Sequence, residues 1–487
     1  MTVQAKDAAT LGEATIADLR QALRGQLVAP GDPDYDEARA IWNAAHDRRP
    51  ALIARCTGAA DVMRAVEFAR SQDLPLAVRG GGHSIPGFST CDGGLVIDLS
   101  RMKGIRVDRG RRTARAEGGV TWGDLDHETQ AFGLATTGGL VSTTGVAGFT
   151  LGGGVGWLMR KHGLACDNLI AADVVTADGQ LVAASETENP ELLWGLRGGG
   201  GNFGVVTSLE LALHEVGPAI TAAIVFYPGE RAAEVLRFYR ELVRDLPDEL
   251  TTLVNLFIAP PAPFLPAAWH GKRLVGLLGM HCGAADEGRR AVQPMRDLGG
   301  AVADLTGPMP YTAMQSLIDP LWGRGAFSYM KAGYVRELSD AAIDALVRHH
   351  VEVTSPKSEI HLHHVGGAVA RVPAASSAYG ERGAPFILNA LASAFTGDGF
   401  ERHIDWAQSL DRAMGPALTG GAYINFLSSE GQERVRAAYG EKYDRLVRLK
   451  DRFDPTNLFA LNQNIAPSAA RRAEAARSTR SSTGGRP

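Results

Sequence analysis

Three stretches of this chain are so dense in glycine that they read as tight loops: residues 79–84 (RGGGHS), 136–156 (TTGGLVSTTGVAGFTLGGGVG) and 197–204 (RGGGGNFG). Consecutive glycines weaken helices and strands alike, so they belong where the backbone turns sharply or approaches a ligand closely. The 58 glycines cluster instead of recurring at every third position, which separates the chain from a collagen-like repeat. Successive backbone N–H groups in such loops can close on a pyrophosphate. Three of them are enough to line one elongated ligand.

The periodicity around the loops places them in a globular frame. DVMRAVEFARSQ is an amphipathic helix, LPLAV a short strand, and the first glycine loop follows directly. GLVIDLS is a second buried strand, and VVTADGQLVAA is a hairpin whose Asp178-Gly179 suits a type I′ turn. Beyond about Leu213 long strands (TTLVNLFIA, RLVGLLGMHC, SEIHLHHVGGAVARV, FILNALASAF) alternate with helices (ADEGRRAVQPMRDL, ERHIDWAQSLDRAM), the pattern of a separate domain with an antiparallel sheet. GQERVRAAYGEKYDRLVRLKDRFDPTNLF reads as one long helix stopped by Asp454-Pro455. Residues 468–487 lack aromatic and branched apolar side chains and read as a disordered tail.

At 487 residues two domains are expected. A net charge of −4, with no basic block carrying interleaved aromatics, speaks against a nucleic-acid partner and for a small molecule. Cys56, Cys91, Cys166 and Cys282 are far apart and form no CxxC pair, so neither a disulfide framework nor a zinc site is expected. There is neither a secretory h-region nor a bilayer-length apolar run, and the protein is read as cytoplasmic.

The hexapeptide ending in His83 and Ser84 carries the sharpest chemistry. An imidazole at the rim of a glycine turn can contact a ring system or be alkylated by it; it can equally do no more than hydrogen-bond within the turn. Gly199-x-Gly201-x-x-Gly204 matches the dinucleotide fingerprint formally, but the next residues (VVTSLELAL) are a strand where that fingerprint requires a helix. No Walker lysine follows any of the loops.

RGGGHS, GGLVSTTGVAGFTLGGGVGWLMRKHGLACDNL, ENPELLWGLRGGGGNFGVVTSLEL, GGAYINFL and YGEKYDRLVRLKDRFDPTNLFALNQNI, in that order, resemble the berberine-bridge-enzyme-like branch of the vanillyl-alcohol-oxidase/p-cresol-methylhydroxylase flavoproteins from about Pro50 to Pro467. The resemblance implies an α+β, two-domain PCMH-type FAD-binding fold with an inserted substrate domain, an antiparallel sheet flanked by helices. The implied division is residues 1–213 for FAD, 214–440 for substrate, and 441–467 returning to the FAD domain. It places His83 where the family bonds the flavin 8α-methyl group. It assigns Arg79, Gly80, Gly81, Gly82, Ser84, Thr144, Gly145, Gly148, Gly152, Gly153, Gly154 and Gly156 to the cofactor, with Asn202, Gly204, Val206 and Asn464 as further contacts. Where many members carry a second, cysteinyl link, this chain has Val141-Ser142, so a single covalent bond is expected. Cys166 lies downstream of that position and reads as a buried cysteine.

Tyr423 and Asn425 are two apart in GGAYINFL, which on a strand would turn them to the same side. The resemblance favours Tyr423 as the base for an alcohol O–H, with Asn425 holding it or the ligand. Period-two spacing likewise groups Glu359, His361 and His363, and Tyr329 with Lys331; Tyr329 and His363 are taken as catalytic candidates and no metal is assigned. The implied reaction is hydride removal from a CH–OH carbon or a carbon next to nitrogen, with O2 as acceptor and H2O2 as product. A dehydrogenase with another acceptor, a protein that sequesters its ligand without turnover and, more remotely, a NAD(P)-linked dehydrogenase are the alternatives, and the oligomeric state stays open.

Overall fold

The computed structural model describes residues 11–470, so most of the expected C-terminal tail lies outside the described residues. The first half holds two sheets. In the smaller, Leu52–Arg55 and Leu76–Arg79 both run parallel to Leu95–Asp98, and Gln26–Val28 closes one edge. In the larger, five antiparallel strands follow the order Ile105–Asp108, Thr113–Glu117, Val205–Ala212, Leu169–Val175, Leu181–Ala184. The hairpin within it does not use a type I′ turn: Gly179 has φ +82° while Asp178 has no positive φ, and Gly179 N–H donates to Thr176 O. This is a three-residue loop with the left-handed position given to glycine.

The chain leaves this half after Glu215, which pairs back onto Leu134. It then builds the antiparallel sheet of the second half, in the order Ala303–Asp304, Ala219–Pro228, Arg273–His281, Leu250–Ile258, Glu359–His364, Phe386–Ala394, Phe327–Val335. Helices Ala232–Leu242, Ala285–Asp297, Asp340–Val351 and Glu401–Met414 bury one face of the sheet against a core that includes Val254, Ile360, Leu362, Leu388 and Ala390. Side chains alternate along a strand, so the intervening residues His361, His363 and Asn389 turn to the other face, toward the first half.

The return begins earlier than the sequence suggests. Ala422, Ile424, Leu427, Val435 and Tyr439 already belong to the core of the first half, so the crossing lies near residue 422 and not at 441. The expected single long helix is broken: Gln432–Tyr439 ends at Gly440, which has φ +54°, and Tyr443–Phe453 resumes after one 3-10 turn. Among the described residues no helix is long and apolar enough to cross a membrane.

Candidate active site

A cavity of about 370 Å³ runs between the two halves. Its floor is made by the glycine loops, which are packed backbone to backbone: a Cβ on Gly81 would lie 2.3 Å from Gly145 N, and one on Gly145 would lie 2.4 Å from Gly81 N. No side chain fits there. At Gly148 and Gly201, by contrast, a Cβ would meet nothing within 4 Å, because both face the open cavity.

Gly80, Gly81, Gly82, His83, Ser84, Thr144, Gly145, Gly148, Gly204 and Val206 all line the cavity, as the sequence suggests. Six other expected cofactor contacts, and Arg79 with them, do not. Arg79 points away, its guanidinium 2.8 Å from Asp98 in a buried ion pair that ties the end of its strand to the neighbouring one. Gly152, Gly153, Gly154 and Gly156 form a second layer behind the lining. A Cβ on Gly152 would strike Asn425 Oδ1 at 1.9 Å, and one on Gly156 would strike Gly138 O at 1.8 Å. Their smallness lets other residues come close. Asn202 is fully buried, donates to Gly199 O and Gln463 O and accepts from Ile465 N, so it clasps the third glycine loop to the returning segment. Asn464 does not line the cavity either; its carbonyl accepts from Gln432 Nε2.

His83 stands at the rim beneath Trp42, the ring centroids 5.2 Å apart and the planes inclined by 23°. Its Nε2 is 2.9 Å from Thr143 Oγ1 and its Nδ1 3.5 Å from Thr144 Oγ1. Burial, aided by the charge of Arg324, lowers its pKa to about 4. The ring is therefore neutral near pH 7 and keeps a nucleophilic nitrogen. All four cysteines are buried and none lines the cavity; burial raises the Cys166 thiol well above its usual range.

Tyr423 and Asn425 do meet, by a different geometry from the one expected. They lie at the start of and within a 3-10 turn, Ile424–Phe426, and not on a strand. Asn425 Nδ2 donates to the Tyr423 hydroxyl at 2.8 Å, Gly154 N–H does so at 2.9 Å and Val155 N–H at 3.3 Å. Burial raises the phenol pKa, and these donors, Asn425 foremost, oppose it. Tyr329 does not join them: it faces the helix side of the sheet, where Gln408 reaches its hydroxyl at 3.5 Å, and it does not line the cavity. Lys331 shares that face and pairs with Glu430. His363 lines the cavity; burial lowers its pKa to about 3 and its Nε2 has no partner. Trp42, Trp322, Met330 and Asn389 line the cavity with no local sequence signal, brought together by contacts across hundreds of residues.

The lining fits FAD. It offers glycine backbone in place of side chains, a neutral imidazole, and buried polar atoms without protein partners, Ser89 Oγ and Asn462 Oδ1, beside the apolar Leu76, Val78 and Phe459.

Comparison with known proteins agrees. Residues 50–185 match the FAD binding domain family and residues 422–466 the berberine and berberine-like family. The chain is 32% identical over 459 residues to (R)-6-hydroxynicotine oxidase of Paenarthrobacter nicotinovorans, covering 91% of this chain and 97% of that protein. It is 31% identical to an FAD-linked oxidoreductase of Dictyostelium discoideum, over 92% of this chain and 96% of that one. Among solved structures, 6-hydroxy-D-nicotine oxidase from Arthrobacter nicotinovorans superposes with a TM-score of 0.83 at 30% identity, covering 92% and 98% of the two chains. A chitooligosaccharide oxidase superposes with a TM-score of 0.81 at 26% identity, covering 94% and 100%. The chain belongs to the berberine-bridge-enzyme-like FAD-linked oxidoreductases of the PCMH-type FAD-binding family.

Proposed function

We propose that this protein is an oxidase of small molecules that holds FAD through a single covalent bond to His83 and oxidises a CH–OH carbon or a carbon bearing an amine. FAD held by the glycine loops and His83 would supply the hydride acceptor, with O2 as the final oxidant and H2O2 as the product. The chain's own part is placement, exclusion of water and movement of one proton. The observation that carries this reading is the Tyr423 oxygen, buried at the cavity wall with donors from Gly154, Val155 and Asn425 converging on it. Donors aimed at one oxygen favour its anion against a burial that keeps the net pKa above the usual tyrosine value, so the minor phenolate fraction is the form that takes the proton the substrate O–H gives up. A substrate oxidised next to nitrogen has no such proton and does not need the base.

The single bond is supported by the neutral His83 ring under Trp42 and by the absence of any cysteine from the lining. The test is acid precipitation of the purified protein, with flavin fluorescence read in pellet and supernatant. Wild-type protein keeps flavin in the pellet and His83→Ala releases it. Peroxide formation on a panel of alcohols and amines then tests the reaction, and flavin that no ligand reduces would favour a sequestering protein instead.

A further inference from the structure

The backbone donors on Tyr423 are themselves held from behind. Gly153 and Gly154 have φ of +120° and +89°, which turns the N–H groups of Gly154 and Val155 onto one point, the Tyr423 oxygen. In a trans peptide the carbonyl points opposite to the N–H, so the carbonyls of the same two units face away from Tyr423. There Gly153 O accepts from Cys166 N–H at 2.8 Å and Gly154 O from Ala165 N–H at 3.0 Å. These are the first N–H groups of the 3-10 turn Ala165–Asn168, which such a turn leaves without partners of its own. A peptide that accepts at its carbonyl donates more strongly at its N–H, so the turn reinforces both donors. Asp167 caps that turn, accepting from Leu164 N–H at 2.9 Å. Its carboxylate is matched by Arg382, whose guanidinium donates to Asp167 Oδ2 at 3.0 Å and to Oδ1 at 2.5 Å, and both side chains are buried. Arg382 also donates to Val369 O and Ser377 Oγ and lies 5.3 Å from the centre of the Tyr379 ring, which packs on Gly153.

We propose that Asp167 and Arg382 are a pair of positioning residues for the Tyr423 oxygen: Asp167 fixes the turn that holds the two donating peptides, and Arg382 cancels the negative charge this places behind them. Left alone, the Asp167 carboxylate would oppose an anion at Tyr423, and the paired guanidinium removes that opposition. Neither residue lines the cavity. The other ionisable groups around Tyr423 are Tyr379, Tyr334, Cys166 and His363, and burial keeps each of them neutral near pH 7. Further out stand Glu381, Arg197 and Lys442; burial lowers the Lys442 pKa to about 8. All of these are shared by every variant compared below. Only the consequence for the reaction rests on Tyr423 being the base; the effect on its acidity does not.

The test places difluorotyrosine, a more acidic phenol, at position 423 of the FAD-loaded protein and follows its ionisation with pH by fluorine NMR. A charge in direct contact moves a pKa by about 1–3 units, and these charges stand one layer further off. Shifts of up to about one pH unit, or about tenfold in the phenolate-to-phenol ratio, are therefore expected. Asp167→Asn keeps an acceptor for Leu164 N–H and strips the counter-ion from Arg382, so the midpoint falls. Arg382→Gln leaves the carboxylate bare, so the midpoint rises. The two substitutions together return it close to wild type. Residues that only supported the fold would move both single variants the same way or neither of them, and that result would overturn the proposal. Where the bare buried carboxylate keeps Arg382→Gln from folding, Asp167→Asn and the double variant decide. A midpoint unmoved or raised in Asp167→Asn, or left low in the double variant, again overturns it. In the same variants with natural Tyr423, the alkaline climb of kcat/KM on an alcohol moves with these midpoints. A fluorine titration that moves while the rate profile stays put leaves the role of the pair standing and removes the reading of Tyr423 as the base instead.

Discussion

At Tyr423 two physical effects oppose one another, and their balance sets a pH profile. Burial holds the phenol protonated, and three N–H donors favour its anion, with the net pKa above the usual tyrosine value. The basic form therefore becomes more abundant as pH rises, so kcat/KM for an alcohol climbs from neutral into alkaline solution. Tyr423→Phe lowers it by about 10²–10⁴-fold, the range of a lost general base, and flattens the climb. An amine substrate climbs with the loss of its own ammonium proton, and Tyr423→Phe leaves both its climb and its rate nearly unchanged; steady-state kinetics on both substrate types across pH decides the matter. A climb on the alcohol that survives in Tyr423→Phe would move the base elsewhere. Part of this site was legible in the sequence: consecutive glycines around His83 are a local signal, whereas Tyr423 stands out through the family resemblance, since the strand spacing that groups it with Asn425 is a turn in the structure. Trp42, Trp322 and Asn389 were not legible, since each is an unremarkable residue until the fold places it on the cavity. Gly152, Gly153, Gly154 and Gly156 show why a glycine pattern alone is ambiguous: a glycine kept small for packing reads the same in sequence as one kept small for a ligand.

Among the elements, the returning segment departs furthest from its sequence pattern. Helical periodicity runs almost unbroken from Gln432 to Phe453, and the break at Gly440 is a single glycine that a helix tolerates at a cost of about 1 kcal/mol. Only packing of the two pieces onto the first-half core decides for the break. Lys450 and Asp454, four residues apart, are both fully buried. The Lys450 ammonium donates to Asp454 Oδ2 at 2.7 Å, Asn202 O at 2.9 Å and Phe459 O at 3.0 Å. It thereby fastens the last helix to the third glycine loop and to the residue that carries the chain back along the cavity. Asp454 in turn accepts from Leu458 and Phe459 N–H. Lys450→Met leaves that carboxylate buried without its cation, which costs about 3–5 kcal/mol. Denaturant unfolding shows the loss, and flavin retention falls with it; a midpoint equal to wild type would mean that water replaces the ammonium.

The two halves meet over a buried acid, and this makes the whole molecule's stability depend on pH. Asp126, on the first-half helix Trp122–Gln130, is 3% exposed and accepts from Gln315 Nε2 of the second-half helix Tyr311–Gln315 at 3.1 Å. The same amide reaches Gly139 O, a cavity residue, at 3.4 Å. Tyr311, whose hydroxyl donates to Thr136 O, packs nearby with its own pKa raised by burial and by Asp126. Burial raises the Asp126 pKa from 3.8 to about 7, and the Gln315 hydrogen bond offsets only part of this. A carboxyl whose folded pKa lies above its unfolded one holds its proton more tightly when folded. Stability therefore falls as pH rises from about 4 to about 7, at a limiting slope of about 1.4 kcal/mol per pH unit, and is flat above, where both states are ionised. Asp126→Asn keeps an acceptor for Gln315 and removes the titration. Its melting temperature matches or falls below wild type near pH 4, overtakes it as pH rises, and holds a constant lead above pH 7 in thermal scans at fixed ionic strength. A gap that does not change between pH 4 and pH 8 would show that Asp126 ionises as freely in the folded protein as in the unfolded chain, and that the junction between the halves carries no buried charge.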